Sequence, residues 1–570
     1  MHHALSISEI LRHIFSLLEQ DDNARNTRVC KSWSDTALDF VWEVAHPGVF
    51  LSLAPTEANA VPRELTFVRP PTPEEWSRFL SHSSCVRTWR DSTFNLTANA
   101  WRLSSAALAD ISATCTTTCI FPNLQDISAS THEIETFIMS PSVVSLVLVV
   151  SKISPSRVPT ILENIRDQLP QLKDLDIYYE MGTEGLPPYD DEIAGLLQAL
   201  PKLTTLSLPL FCLNASMIRA LSQHQSLESI LVDSSSTYVP YPCNERERER
   251  SLVLPNKLLE TGAFPSLNQL SLSTPSLTDA QKFFTQPGFP GTNLRSLWFH
   301  TTTIPSPASF GELLTYLAGV CPFLTDLEMI LQARQYSRRS DFSSVEALGA
   351  RDLHPLLGFN SLHVFRIRHP YPIDISDTEL RELVSKWPRL CVFDLNPHPV
   401  VSKVPTLTLG AFVTLATYCP YLFEIGLYVD ATAAPPSVPP WIIVSRRQLD
   451  ITTLHIGRSP LLIGANAPVT TFPQLARYLA HFMVDSSKTD WEWPNEDDLP
   501  PRLRNEWNWW ASVAAYSRDD VETKYESEIG LCSDRIWIRY GHFWGTAQNL
   551  YCLFRRIVSN IPPAELEARI

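Results

Sequence analysis

Leu380-Arg381-Glu382-Leu383-Val384-Ser385-Lys386-Trp387-Pro388-Arg389-Leu390-Cys391-Val392-Phe393-Asp394-Leu395 carries two periodicities back to back. Leu380, Leu383, Val384 and Trp387 fall at i, i+3, i+4 and i+7, the spacing of one helix face. Leu390, Phe393 and Leu395 follow, the last two alternating as on a strand. Pro388 stands between the two patterns. It has no N–H and its ring clashes with the preceding turn, so it cannot continue the helix. The stretch therefore predicts a helix, a proline stop and a short strand with one apolar side. A single unit of this kind cannot cover its own apolar face; stacked copies make a continuous core.

The unit recurs along the chain. Leu172, Leu175 and Ile177 follow Pro170; Leu203, Leu206 and Leu208 follow Pro201; Leu267, Leu270 and Leu272 follow Pro265. Pro322 precedes Leu324, Leu327 and Met329, and Pro420 precedes Leu422, Ile425 and Leu427. Copies without the proline sit at Leu227/Ile230/Val232, Leu294/Leu297/Phe299, Leu362/Phe365/Ile367 and Ile451/Leu454/Ile456, with Val143/Leu146/Leu148 and a partial match at Leu124/Ile127. Ile193, Leu196, Leu197 and Leu200 repeat the helical spacing, as do Leu314, Leu317, Ala318 and Cys321, and Phe412, Leu415, Ala416 and Cys419. Successive strand anchors lie roughly 19 to 40 residues apart, which overlaps the periods of leucine-rich repeats.

On these residues the chain resembles the leucine-rich-repeat class. The resemblance implies an α/β fold: a curved solenoid with a parallel inner sheet and outer helices. The asparagine expected three residues after the last leucine of a repeat is replaced by Glu180, Phe211, Ser235, Gln332, His398 and Asp430, so no asparagine ladder is expected. The interval from Leu227 to Leu267 holds a long loop with the alternating charges of Glu245 to Arg250, expected to be a solvated excursion. Pro435 to Pro440 reads as a rigid spacer. Residues 46–120 read as degenerate repeats with Trp76, Phe79, Val86 and Trp89 as core. The solenoid is expected over residues 46–484. From 485 to 570 the rhythm gives way to Trp491, Trp493, Trp507, Trp509, Trp510, Trp537 and Trp544 among acidic residues. That segment is expected to cap the solenoid with a helical, aromatic-rich end, a tryptophan-lined peptide surface being the alternative.

Residues 1–45 follow a different pattern. Ile7, Ile10, Leu11, Ile14, Phe15 and Leu18 make one helix face, with Glu9, Arg12, His13 and Ser16 opposite. A polar turn at Glu19 to Asn23 leads to a second helical stretch with Val29, Trp33, Ala37 and, beyond, Leu38, Val41 and Trp42. Some forty residues bury too little apolar surface to stand alone, so a partner is expected. The runs Ile7-Ser8-Glu9-Ile10-Leu11, Ile14-Phe15-Ser16-Leu17-Leu18 and Arg28-Val29-Cys30-Lys31-Ser32-Trp33, closed by Trp42, resemble an F-box. The family usually places a proline where Ile7 or Ser8 stands, and many members carry an Asp-Leu pair where Asp21-Asp22-Asn23 stands. The resemblance implies binding to a Skp-type adaptor and, through it, a cullin. It assigns that contact to Ile7, Ile10, Leu11, Ile14, Phe15, Leu18, Val29, Trp33 and Trp42. F-box and leucine-rich repeat together are similar to large protein sets of mushroom-forming fungi.

Composition bounds the rest. Hydrophobic residues make up 44% of the 570 and include 15 tryptophans, which indicates packed material. A net charge of −15 argues against binding a phosphate backbone, so no nucleic-acid partner is expected. Eleven cysteines, without a repeated pair spacing, read as reduced intracellular thiols; Cys115 and Cys119 have no second pair to complete a zinc site. Neither a signal peptide nor a membrane span is legible: the strongly apolar run Val143 to Val150 is too short to cross a bilayer. A cytoplasmic or nuclear protein is expected.

No nucleophile elbow, dinucleotide fingerprint, phosphate loop or zinc-protease motif is present, and no cofactor, metal or catalytic residue is expected. His132-Glu133 begins a metalloprotease-like string that Thr136 and Phe137 break. His369 and His398 read as structural, and Cys321 and Cys419, which share one repeat position, as small core residues. If a target is held, the residues alternating with the inward leucines should hold it: Asp176, Tyr178, Trp298, His300, Glu328, Arg366, Arg368, Asp394, Tyr428 and His455. Arg366 and Arg368, flanked by Glu328 and Asp394, read equally as a charge ladder that compensates itself across strands; a phosphate receptor is not expected there. The expected function is a non-enzymatic substrate receptor of a Skp–cullin–F-box ubiquitin ligase with a protein target. The alternative is a repeat scaffold without ligase association.

Overall fold

The computed structural model describes most of residues 7–455 and scattered residues from 459 to 488. Residues 1–6, 59–62, 92–100, 180–188, 233–257, 332–345, 441–450, 461–477, 489–570 and some single positions lie outside the description. The expected aromatic cap and the charged loop at Glu245 to Arg250 fall there. Two compact units emerge, Met1–Ser273 with Lys282–Asn293, and Thr274–Gln281 with Leu294–Ile570.

The first unit begins with three helices, α1 (Ser8–Ser16), α2 (Gln20–Asn26) and α3 (Lys31–Glu43). The sequence suggested two; the polar turn is itself a helix. Asp21 and Asp22 sit in the first turn of α2, where the exposed N–H groups favour negative charge. Asn23 is buried, and its amide donates to the carbonyl of Phe15 (3.0 Å) at the end of α1. Gln20 donates to the Val41 carbonyl of α3 (2.7 Å). Residues that read as a loop are thus the polar tie between α1 and α3.

A parallel sheet follows, with β1 (Val44–Ala45), β4 (Thr88–Arg90), β6 (Asp126–Ser130), β7 (Ser145–Val150), β8 (Asp174–Tyr179), β9 (Thr205–Leu208), β10 (Ser229–Val232) and β11 (Gln269–Thr274) side by side in that order. Between β1 and β4 the chain makes a second, small sheet: β2 (Thr56–Ala58) lies antiparallel to β3 (Arg63–Phe67), and β5 (Trp101–Leu103) parallel to β3. The degenerate-repeat reading of residues 46–120 did not include that sheet. Trp76, Phe79, Val86 and Trp89 are all buried. Trp76 and Phe79 come from α4 (Pro73–Ser83), whose start carries Thr72 and Glu75 as a capping box.

In the second unit, β12 (Ser296–Thr301), β13 (Asp326–Leu331), β14 (Val364–Arg368), β15 (Val392–Leu395), β16 (Glu424–Leu427), β17 (Ile451–His455) and β18 (Met483–Lys488) form a parallel sheet in sequence order. Helices Pro307–Val320, Asp377–Val384 and Gly410–Tyr418 precede strands as the periodicity predicts. Leu324, Leu362, Leu390 and Leu422, the first anchors of their repeats, are buried. The fold is α/β and solenoid-like, helices alternating with parallel strands.

Buried backbone N–H groups at strand ends still need acceptors once the asparagine ladder is gone. Asn396 supplies one from a position directly after the strand rather than three residues on. Its backbone is left-handed (φ 51°), its Oδ1 accepts from the His369 N–H (3.2 Å), and its amide donates to the carbonyls of His369 (2.8 Å) and Tyr371 (2.7 Å). Thr131 accepts from the Ser151 N–H (2.9 Å), and Ser459 from the Val429 N–H (3.0 Å). A mixed set of polar side chains replaces the ladder.

Candidate functional site

The helical head separates its apolar residues into two groups. Leu11 (2% exposed) and Phe15 (1%) point inward with Ala37 of α3, and Trp33 and Phe40 pack against them. Phe15 meets Trp33 edge to face at 5.5 Å. Ile7, Ile10 (39%), Ile14, Leu18 and Val29 (55%) remain exposed, as does Leu17, which the sequence did not single out. On a helix turning about 100° per residue, Ile7, Ile10 and Ile14 lie to one side of the Leu11–Phe15 line. The apolar face of α1 is therefore wider than the core consumes. On the other flank Arg12 pairs with Asp39 of α3, whose carboxylate also accepts from the Cys85 thiol (3.2 Å) in the turn after α4.

Trp42 does not share the exposed group. Its indole stacks on His82 (5.3 Å) and meets Phe79 edge-on (5.5 Å), so it joins α3 to α4. Cys30 stands at the N-cap of α3, where bonds from Ser32 and the Trp33 backbone hold its thiol below the usual range.

Of the residues expected to meet a target, Asp176 and Tyr178 lie on β8 of the first unit. The rest belong to the second unit, where strand register lines up Trp298, Glu328, Arg366, Asp394, Gly426 and His455 in one row across six strands. Arg366 reaches both ways along it, donating to Glu328 (3.2 Å) and to Glu424 (2.9 Å). Burial opposes its charge, but those two carboxylates outweigh that and hold the guanidinium above its ordinary pKa. Arg368 pairs with Asp394, which is 1% exposed, and His455 lies 3.8 Å from Glu424.

Gly426 makes this arrangement possible. A Cβ there would come within 2.6 Å of the Asp394 carboxyl carbon, so any other residue would lift the carboxylate off the sheet. Sequence reading missed Glu424 and Gly426; the outward alternation of β16 was the signal that could have found them. Trp298 is stacked on the buried His300 at 6.2 Å. Tyr428 is buried and donates to the Lys403 carbonyl (3.0 Å), a structural tie. Arginines engaged in this way can recognise shape and charge, but a free phosphate would have to break existing ion pairs.

Cys321 and Cys419 are buried, and burial pushes both thiols up to about 12. His369 is buried and its ring nitrogen accepts from the Tyr371 N–H (3.2 Å), with burial lowering its pKa to about 4. Among the described residues no group of three or more His, Cys, Asp or Glu side chains is placed to hold a metal ion. No described helix is long and apolar enough to cross a membrane.

No curated protein sequence matches the chain significantly. Among solved structures it is similar to one of the Rad7 and Elc1 complex in yeast, with a TM-score of 0.34, 14% identity, and 61% of this chain and 73% of that one covered. It is also similar to one of the TLR13–ssRNA13 complex, with a TM-score of 0.21, 16% identity, and 68% and 65% covered. At such scores neither likeness bears on fold or partners. The model of the F-box-like family matches residues 8–44, the span of α1 to α3. The head is an F-box-like domain, set ahead of a solenoid-like array of helices and parallel strands.

Proposed function

We propose that this protein is the substrate-recognition subunit of a Skp–cullin–F-box ubiquitin ligase, of the fungal leucine-rich-repeat type, working in the cytoplasm, the nucleus or both. The head docks on a Skp-type adaptor, which connects it to a cullin, and the repeat region holds a protein target. Its part is positioning; ubiquitin transfer belongs to other subunits. The observation that carries this reading is the exposed group Ile7, Ile10, Ile14, Leu17, Leu18 and Val29 on a head whose core is already closed by Leu11, Phe15 and Ala37. Each Å² of such surface that a partner covers contributes about 25 cal/mol. The match of residues 8–44 to the F-box-like family agrees with it.

Co-expression with a Skp-type adaptor tests the proposal. The wild-type chain should co-purify with the adaptor, and Ile14→Glu, which changes only an exposed position, should abolish capture while leaving the helical signal in circular dichroism intact. A wild-type chain that captures no adaptor would instead favour a scaffold without ligase association. Ser8 and the polar stretch Asp21-Asp22-Asn23 are the departures that favour that competitor; Ser8 is the first residue of α1, a position suited to the family's proline.

A further inference from the structure

We propose that the outward face of β12 to β16, centred on Glu328 with Trp298 beside it, receives a lysine- or arginine-bearing segment of a protein target. This names a target chemistry for the sheet and rests on the reading that the repeat region holds a protein. On this face Asp326, Glu328, Asp394 and Glu424 outnumber Arg366 and Arg368. Both guanidiniums are already engaged, Arg366 between Glu328 and Glu424 and Arg368 on Asp394. The negative charge is therefore only partly cancelled, and an arriving cation can meet the exposed part of Glu328 with Arg366 still in place. An acidic segment would have to pull an arginine from its partner.

The geometry narrows the choice further. Glu328 engages Arg366 through Oε1, and its side chain is 31% exposed. Trp298 is its register partner on the neighbouring strand, half-buried and stacked on His300 two residues along the same strand. An indole next to a partly exposed carboxylate suits a long cationic side chain: the aliphatic stem and charge lie over the ring while the head group reaches the carboxylate. Arg366 spans the space between Glu328 and Glu424, the recessed Asp394 and the bare Gly426 leaving room for it, so Glu328 stands at the Trp298 edge of this network.

The test uses the purified full chain on arrays of short peptides graded from lysine- and arginine-rich to aspartate- and glutamate-rich. Affinities for a selected cationic peptide are then measured by fluorescence anisotropy. Cationic peptides should be selected, and Glu328→Gln and Trp298→Ala should each weaken binding about threefold to tenfold. Glu312→Gln, an exposed carboxylate on the helix Pro307–Val320, should leave it unchanged. Glu328→Gln keeps the size of the side chain and a carbonyl for Arg366, so the sheet survives it. Preference for acidic or neutral peptides, or an equal loss in Glu312→Gln, would overturn the proposal. Adaptor capture is scored separately on the same variants: cationic binding without adaptor binding would sink the ligase reading and leave this one standing.

Discussion

The exposed side of α1 and the outward face of the second unit's sheet are both surfaces, yet they are finished differently. At α1, Ile7, Ile10 and Ile14 are exposed among the described residues, while Leu11 and Phe15 beside them close the core. On the sheet, Arg366 and Arg368 are met by Glu328, Glu424 and Asp394, and even a glycine is placed to let a carboxylate lie flat. The first surface presents apolar side chains to water; the second meets its charges largely within itself. Residue type alone does not tell these conditions apart, since arginines read as anchors until their partners are known.

The sharpest way to break this contrast is to truncate a residue on either side of the α1 division. Phe15→Ala should destabilise the head by about 3–5 kcal/mol, whereas Ile10→Ala should cost well under about 1 kcal/mol. Hydrogen exchange of α1 to α3 amides reads both, and equal losses would erase the distinction between core and docking side. The next largest effect belongs to the sheet. His369 has a folded pKa of about 4 against an ordinary 6.5, so the unfolded chain binds the extra proton first. Its contribution is present above about pH 6.5 and is lost as pH falls toward 4, by up to about 3 kcal/mol. Protection of β14 and β15 amides should fall across that window, and His369→Gln should flatten the fall.

Arg366→Met strips the counter-charge from Glu328 and Glu424, which are partly solvated, and should cost about 1–2 kcal/mol. Adding Glu424→Gln should return part of it; strict additivity in chemical denaturation would mean that the two do not act as a pair. Smallest of all is Ser8→Pro. Ser8 opens α1 after an extended Ile7, a backbone that accepts proline, so the change should raise head stability by about 0.4–1 kcal/mol. A loss of protection in α1 would show that the Ser8 N–H is needed there.

Much of this is legible in the amino-acid sequence. Phe393 and Leu395 fall on the buried strand β15 because period-two spacing turns both to one side, Leu390 is buried just before it, and Pro388 ends the helix for reasons internal to proline. The head was legible as apolar and undersized. Less legible was α2, because Asp21 and Asp22 are modest helix formers and the turn is rewarded by distant bonds, from Asn23 to the Phe15 carbonyl and from Gln20 to the Val41 carbonyl.

The sequence by itself determined the repeat, the proline stops, the helical head and the surplus of apolar residues on it, because each follows from spacing within a dozen or so neighbours. Only the tertiary structure decided which of α1's residues are core, that Trp42 belongs to the seam with α4, and that Arg366 is shared with Glu424. Those last two side chains lie 58 residues apart in the chain. Stacked parallel strands bring them together, and no local pattern records a distance that is created only when the strands pair.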